Sequence, residues 1–517
     1  MITPKYFIPF KYISLIFSHL LNFFLTLCPG NPVKFGSMHF YFNFGSLNTG
    51  ILNIQPLNTD TIVALATPQG LGAIGVIRLS GAKAFEIGSA VFASKTLKSK
   101  QLQHFASHTI HYGVILEGDV IIDEVLISIF KAPNSYTSEN TIEVSCHGSS
   151  FIQQQIIQLF IKYGARMAQQ GEFTLRAFLN GKLDLSQAEA VADLIASNSA
   201  TSHQVAIQQM RGGFSNKIKL LRQNLIDFAS LIELELDFSE EDVEFADRSD
   251  LKKLVNSIQR IVQRLIDSFE IGNVIKNGIP VAIVGKPNAG KSTLLNVLLE
   301  EDRAIVSDIP GTTRDVIEDE VTIEGVQFRF IDTAGIRETN DLIESIGVEK
   351  TFEQLKLSAI AIYLLDVHEI TAAELKLIVK EMEPHLLNSQ LVLVANKIDK
   401  EDVEYTKKEF AAFPEMLFIS AKEQIGITEL KKHLVHLFDT RTVHLTETIV
   451  TNARHAEALR HTNVALIKVL DGLSQNVSGD FLAMDIRQAL HHLGTITGEI
   501  SSDDLLGNIF SRFCIGK

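Results

Sequence analysis

"PVAIVGKPNAGKSTLLNVLL", residues 280–299, decides the fold of the middle of this chain. An apolar, β-type run breaks at Gly285, and Gly290, Lys291 and Ser292 follow at phosphate-loop spacing, directly before a helical pattern. Such a turn between strand and helix presents a row of backbone amides to an anion. Asn288, Ala289, Gly290, Lys291, Ser292 and Thr293 are therefore expected around the phosphates, with Lys291 reaching the outer two and the Ser292 hydroxyl on magnesium.

Three further motifs follow in the order a nucleotide-binding α/β domain requires. "SDIPGTTRD" (307–315) reads as a first switch: Ser307, Asp308, Ile309, Pro310, Gly311, Thr312 and Thr313 border the nucleotide, and Thr313 closes on magnesium. "IDTAG" brings Asp332, Thr333, Ala334 and Gly335 to a strand end, where the carboxylate holds magnesium through water and the glycine amide senses the outer phosphate. "VANKID" supplies Asn396, Lys397, Ile398 and Asp399; the Asp399 carboxylate can accept two hydrogen bonds from the amino and imino edge of guanine, which adenine cannot offer. "ISAK", with Ser420, Ala421 and Lys422, closes the base pocket. The set selects GTP over ATP.

Two local departures bear on mechanism. Ile336 stands after the Gly335 position, where Ras-like proteins carry the glutamine that orients the attacking water. Water must be positioned from elsewhere, and Glu344 in "NDLIESIG" is either that group or a solvated helix carboxylate. No arginine finger stands out, although Arg337 is close in sequence; Asn288, three residues before Lys291, could instead help bind a monovalent cation near Ser307, Ile309 and Thr312.

Outward from this insert, "DTIVALATPQGLGAIGVIRLSG" (60–81) reads as two strands and a Gly-rich turn, and "DEVLISIF" and "TIEVSCHGS" repeat the pattern. An N-terminal α+β domain is expected over 60–180. Apolar residues at three and four spacing in "LSQAEAVADLIASNSA" and "LKKLVNSIQRIVQRLIDSF" give a helical block over 181–275, and the same pattern returns over 441–517. The expected architecture is multi-domain α/β plus α: two helical blocks packed as one discontinuous domain, interrupted by a P-loop domain over 276–440.

Composition sets outer limits. A length of 517 residues, with 46% hydrophobic and 21% charged, fits about three soluble domains. A net charge of -14 argues against nonspecific coating of nucleic acid, so any RNA contact is a local patch or belongs to a partner. Cys28, Cys146 and Cys514 lie far apart without metal spacing, which suits a reducing compartment and no disulfide framework. Residues 1–59 contain no Asp or Glu and only Lys5, Lys11 and Lys34, with an apolar run from Tyr12 to Cys28. Signal-peptide and lipoprotein readings meet Leu27 where a small residue is needed, a transit peptide should carry Arg, and the segment is taken as an extension of low information. The chain ends "SRFCIGK"; Gly516 and Lys517 argue against a prenylation signal on Cys514.

"GEFTLRAFLNGKLDLSQAEAV", "GKPNAGKS", "PGTTRD", "DTAG", "NKID", "SAK" and the closing "FCIGK", in that order, resemble the tRNA modification GTPases of the MnmE (TrmE) type over residues 60–517. The resemblance implies a Ras-like G domain and a cytoplasmic homodimer, without stable membrane association. It also implies a heterotetramer with a flavin-dependent MnmG (GidA) partner, acting on carbon 5 of the wobble uridine of certain tRNAs. Its cofactors would be GTP, Mg2+, K+ and a tetrahydrofolate derivative, 5-formyl- or methylene-tetrahydrofolate, on the N-terminal domain, with hydrolysis activated by potassium-dependent pairing of G domains. By position, Arg78, Glu143, Lys182 and Lys517 would contact the folate. Glu143 can accept from the pterin edge and a cation can pair with the carboxylated tail. Cys514 is then a nucleophile or acid/base in one-carbon transfer, or an inert packed thiol. Two rival classes are an RNA-binding switch GTPase of the Era or Der kind, which needs neither the "TLRAFLNGKLDL" block nor the terminal thiol, and a membrane-anchored GTPase.

Overall fold

The computed structural model describes residues 60–94, 101–237, 248–301, 319–331, 355–386, 389–400, 403–439, 448–475, 477–511 and 513–516. The N-terminal part contains strands β1 (Thr61–Leu65) and β2 (Ile74–Ser80), helix α1 (Ala84–Val91), strands β3 (Phe92–Ala93), β4 (Thr109–Glu117), β5 (Val120–Phe130) and β6 (Thr141–His147), helix α2 (Ser150–Lys162), strand β7 (Ala165–Met167) and helix α3 (Glu172–Leu179). Its sheet runs β3-β4-β5-β6-β2-β1-β7, antiparallel except where β7 lies parallel to β1. Alternation does the sorting: Ile77, Leu79, Ile142, Val144, Ile127 and Ile129 point into a core shared with Phe85 and Phe160 of the covering helices. Their strand neighbours Arg78 and Glu143 share the other face, paired in register across β2 and β6.

The helical part begins with α4 (Leu185–Ala196), α5 (Ala200–Met210), α6 (Gly213–Asp237) and α7 (Arg248–Asn277). Asp184 and Gln187 form a capping box that fixes the start of α4. Helix α7 runs two residues past the expected boundary at 275, and Gly278, with φ of +77°, turns the chain into the next strand.

The insert comprises β8 (Ile279–Val284), α8 (Lys291–Glu301), β9 (Asp319–Ile323), β10 (Val326–Phe330), β11 (Ile360–Asp366), α9 (Ala372–Met382), β12 (Gln390–Asn396), α10 (Val403–Glu409), β13 (Leu417–Phe418) and α11 (Ile427–Asp439). Its sheet order is β13-β12-β11-β8-β10-β9, parallel except for the antiparallel edge strand β9. Strand β11 is buried along its whole length, which is why it reads as an unbroken apolar run.

The chain then returns through α12 (Ala453–Ser474), α13 (Gly479–Thr497) and α14 (Asp503–Phe510). Phe214, Leu225, Val255 and Val262 of α6 and α7 share one core with Leu459, Leu466, Ile486 and Leu493 of α12 and α13. Residues on both sides of the insert therefore bury a common apolar interior. Among the described residues no helix is long and apolar enough to cross a membrane.

Candidate functional site

The nucleotide loop joins β8 to α8 and is shaped by close backbone approaches. Gly285 (φ +151°) passes so near β11 that a Cβ would stand 2.1 Å from the Leu364 carbonyl, and Gly290 (φ +99°) leaves no room beside the Asn396 amide. Asn288 adopts a left-handed conformation, φ 61°. The Lys291 ammonium donates to the carbonyls of Gly285 (2.8 Å) and Lys286 (3.0 Å), and burial holds its pKa below the ordinary lysine value. Ala289 is buried, Ser292 is half-buried and Thr293 is exposed.

Asn396 joins two loops that are far apart in sequence. Its side-chain nitrogen donates to the Ala289 carbonyl (2.8 Å) and its oxygen accepts from the Ala421 amide (3.0 Å). Lys397, at φ 69°, pairs with Asp366 at 2.6 Å. Burial would raise the Asp366 carboxyl, but the Lys397 bond and the His368 amide outweigh it and leave the pKa below its ordinary value. Ser420 donates to the Asp399 carboxylate and its backbone closes a two-bond turn with Ile425, while Ala421 is buried and Lys422 stays exposed beside Glu423. Ile398 is buried. The loops at 285–293, 396–399 and 420–422 thus meet at the ends of β8 and β12.

A second cluster forms at the N-terminal sheet. Arg78 donates to Glu143 (2.8 Å) and to the Gly516 carbonyl (3.3 Å), and its guanidinium lies over the rings of Tyr136 (5.3 Å) and Phe173 (5.6 Å). The C-terminal segment is stitched in place: Ile515 bridges Gln170, the Gly171 amide donates to the Cys514 carbonyl, and Gly516 (φ +101°) passes 2.1 Å from the Leu65 carbonyl measured from an added Cβ. Cys514 is exposed, whereas Cys146 is buried, which pushes its thiol up to about 11. Arg78, Glu143 and the tail carrying Cys514 therefore come together. Lys182 sits apart from them in bonding: it is exposed in the turn after α3, with its amide on the Ala177 carbonyl.

Ser307, Asp308, Ile309, Pro310, Gly311, Thr312, Thr313, Asp332, Thr333, Ala334, Gly335, Glu344 and Lys517 lie outside the described residues.

Two groups of half-buried and buried ion pairs have no counterpart in the sequence motifs. Arg176 pairs with Asp60, Glu139 and Glu172, and Arg166 pairs with Asp60 and Glu172. Further on, Glu189 pairs with Arg454 and His455. The available signal was a carboxylate at position 189, four residues after Leu185 on the apolar stripe of α4.

Comparison with known proteins follows the same division. A family model described as "GTP-binding protein TrmE N-terminus" matches residues 61–182, and one described as "MnmE helical domain" matches residues 185–514. The chain belongs to the MnmE family. Its MnmE relative from Cytophaga hutchinsonii, named tRNA modification GTPase MnmE, is 57% identical over 461 residues, covering 89% of this chain and 98% of the relative. The MnmE of Flavobacterium johnsoniae, with the same name, is 57% identical over 467 residues, covering 89% of this chain and 100% of the relative. A solved structure of Era with MgGDPNP and a ribosomal RNA segment shares 26% identity over 36% of this chain and 66% of its own, at a TM-score of 0.23, an overlap that adds nothing to the MnmE assignment.

Proposed function

We propose that this protein is a GTP hydrolase of tRNA modification that acts, with an MnmG (GidA)-type flavoprotein, on carbon 5 of the wobble uridine. One observation carries the reading: a phosphate-loop domain is inserted into a chain whose C-terminal segment accepts, at the Gly516 carbonyl, from Arg78 of the N-terminal sheet, the arginine that also pairs with Glu143. An RNA-binding GTPase switch has no need of that second cluster.

In the nucleotide site, the loop amides and Lys291 would hold the phosphates, the Ser292 hydroxyl and Thr313 would hold magnesium, and Asp399 would read guanine. A bound magnesium neutralises charge that develops on the phosphates. Asn288, in its left-handed turn, would help hold a potassium ion with Ser307, Ile309 and Thr312, and Glu344 would orient the water. At the second cluster the donor set suits a pterin: Glu143 uses one carboxylate oxygen on Arg78, and its other oxygen makes no hydrogen bond among the described residues. A tetrahydrofolate derivative would supply the one-carbon unit there; Arg78 and Lys517 would hold its charge, and the exposed Cys514 thiol would serve as nucleophile or acid/base. Pairing of two chains is supported by apolar Ile110, Tyr112 and Leu126, exposed together on β4 and β5. The cytosol, away from any membrane, is the proposed location.

The test is the wobble-uridine nucleoside profile, by mass spectrometry, of bulk tRNA from a bacterium lacking its own family member and supplied with this chain or Cys514→Ser. The intact chain is expected to restore the modified nucleoside and the variant to fail. Restoration by neither chain, with both expressed and hydrolysing GTP, overturns the reading.

A further inference from the structure

We propose that Glu189, acting with Arg454 and His455, is a positioning residue that sets where the C-terminal thiol stands. The inference rests on the reading of Cys514 as a working group. It concerns residues that touch neither nucleotide loop nor the Arg78 cluster.

Glu189 is the buried carboxylate of α4, and both of its oxygens are engaged. One accepts from Arg454 Nε (3.0 Å); the other accepts from the Arg454 guanidinium (2.8 Å) and from His455 Nε2 (2.7 Å). The same guanidinium donates to the carbonyls of Thr495 and Ile496 in the last turn of α13. One planar cation therefore fixes α4, the first turn of α12 and the end of α13 against one another, with the directional precision of a bidentate pair. With Nε2 facing the carboxylate its hydrogen sits there, and His455 Nδ1 is buried with no hydrogen-bond partner among the described residues.

A neighbouring turn of α4 is the seat of the C-terminal segment. Leu185 and Ala188 are fully buried against Leu506, Phe510 and Phe513, and Cys514 is the next residue along. The tail then meets Gly171, Gln170 and Arg78. Cys514 is placed by a clamp of two jaws, the α4 seat and the N-terminal sheet, and Glu189 holds the first jaw to the helical bundle. A buried ion pair is a poor source of net stability compared with apolar packing, so the service of this one is geometric.

Iodoacetamide labelling of Cys514 in the full chain, with Cys28→Ser present and the terminal peptide followed by mass spectrometry, reads position without requiring chemistry. Glu189→Gln is expected to change the labelling rate at least about threefold. It is also expected to lower the turnover number for tRNA modification by about ten- to a hundredfold, the size of effect that a misplacement near 1 Å produces. The KM for tRNA and the rate of GTP hydrolysis are expected to stay within about twofold. Wild-type labelling and turnover in Glu189→Gln would overturn the proposal, as would a parallel fall in GTP hydrolysis, which marks general damage. If Glu189→Gln does not fold, Arg454→Lys carries the same test, because it keeps the charge and loses the two-pronged grip. Should Cys514→Ser modify tRNA normally, the thiol reading fails alone, and the labelling rates still decide the positioning.

Discussion

The nucleotide loops and the C-terminal cluster are built on opposite principles. The first is assembled from contiguous motifs at the ends of parallel strands and held mainly by amides: Asn396 bridges Ala289 and Ala421 without a net charge. The second gathers residues as distant as 78, 143, 170 and 516 and lies among ion pairs, of Arg166 and Arg176 with Asp60, Glu139 and Glu172 and of Glu189 with Arg454 and His455. A site of short motifs braced mainly by amides and one set among several ion pairs should fail under different perturbations.

Lys291→Ala makes the largest break. Lys291 is the cation of the phosphate loop, and its loss is expected to lower GTP hydrolysis by about a hundred- to a thousandfold, the range for removal of one stabiliser of developing charge. Binding of 5-formyltetrahydrofolate, followed by calorimetry, should remain unchanged. Equal loss of both would show that the two sites are not separable.

Acid should separate the regions in the other direction. Burial alone would raise the Glu189 carboxyl, yet His455 and Arg454 hold it down to about 2, from an ordinary 4.5. A depressed carboxylate contributes stability above its unfolded pKa and loses it as pH falls, here between about 4.5 and 2. His455, kept neutral by burial and so titrating below the ordinary 6.5, steepens the same limb, because the unfolded chain takes its proton first. Asp60 and Glu172 are also held below their ordinary values against burial by Arg166 and Arg176. Hydrogen exchange at descending pH is expected to show α4, α14 and the tail losing protection before β8, β11 and β12, with Glu189→Gln flattening the difference. Simultaneous loss would mean that the ions do not govern the order.

These contrasts also explain what could be read from sequence. A phosphate loop is legible because its function lies in the backbone of one short stretch, and Gly285 and Gly290 are forced by approaches to Leu364 and Asn396. The helical blocks were legible as apolar stripes, and their union across the insert follows from the need to bury both. The buried ions were not legible: Glu189 and Arg454 are separated by 265 positions, and nothing local says that a charge in "QAEAV" has a partner in "NARHAEAL". The Gly516 contact with Arg78 spans 438 positions and was visible only as the tail motif.

Arg78→Ala sharpens the second region. It removes charge-assisted bonds to Glu143 and Gly516 and the contacts with Tyr136 and Phe173 together. Affinity for 5-formyltetrahydrofolate is expected to fall by about ten- to a hundredfold, as loss of hydrogen bonds to a charged group implies, with GTP hydrolysis unchanged. An unaltered affinity would remove the ligand from this part of the sheet.

Lys182→Ala marks the edge of that region. Its exposed side chain makes no hydrogen bond or ion pair among the described residues, so it is not preorganised, and an exposed charge that must be ordered on binding contributes little. The expected change in folate affinity is under about threefold. A loss as large as that of Arg78→Ala would carry a specific structural consequence: the turn at 180–184, which leads directly into the capping box of α4, would have to close on the ligand. Folate binding and the seat of Cys514 would then share one moving element, and the C-terminal cluster would be an induced site in contrast to the preformed nucleotide loop.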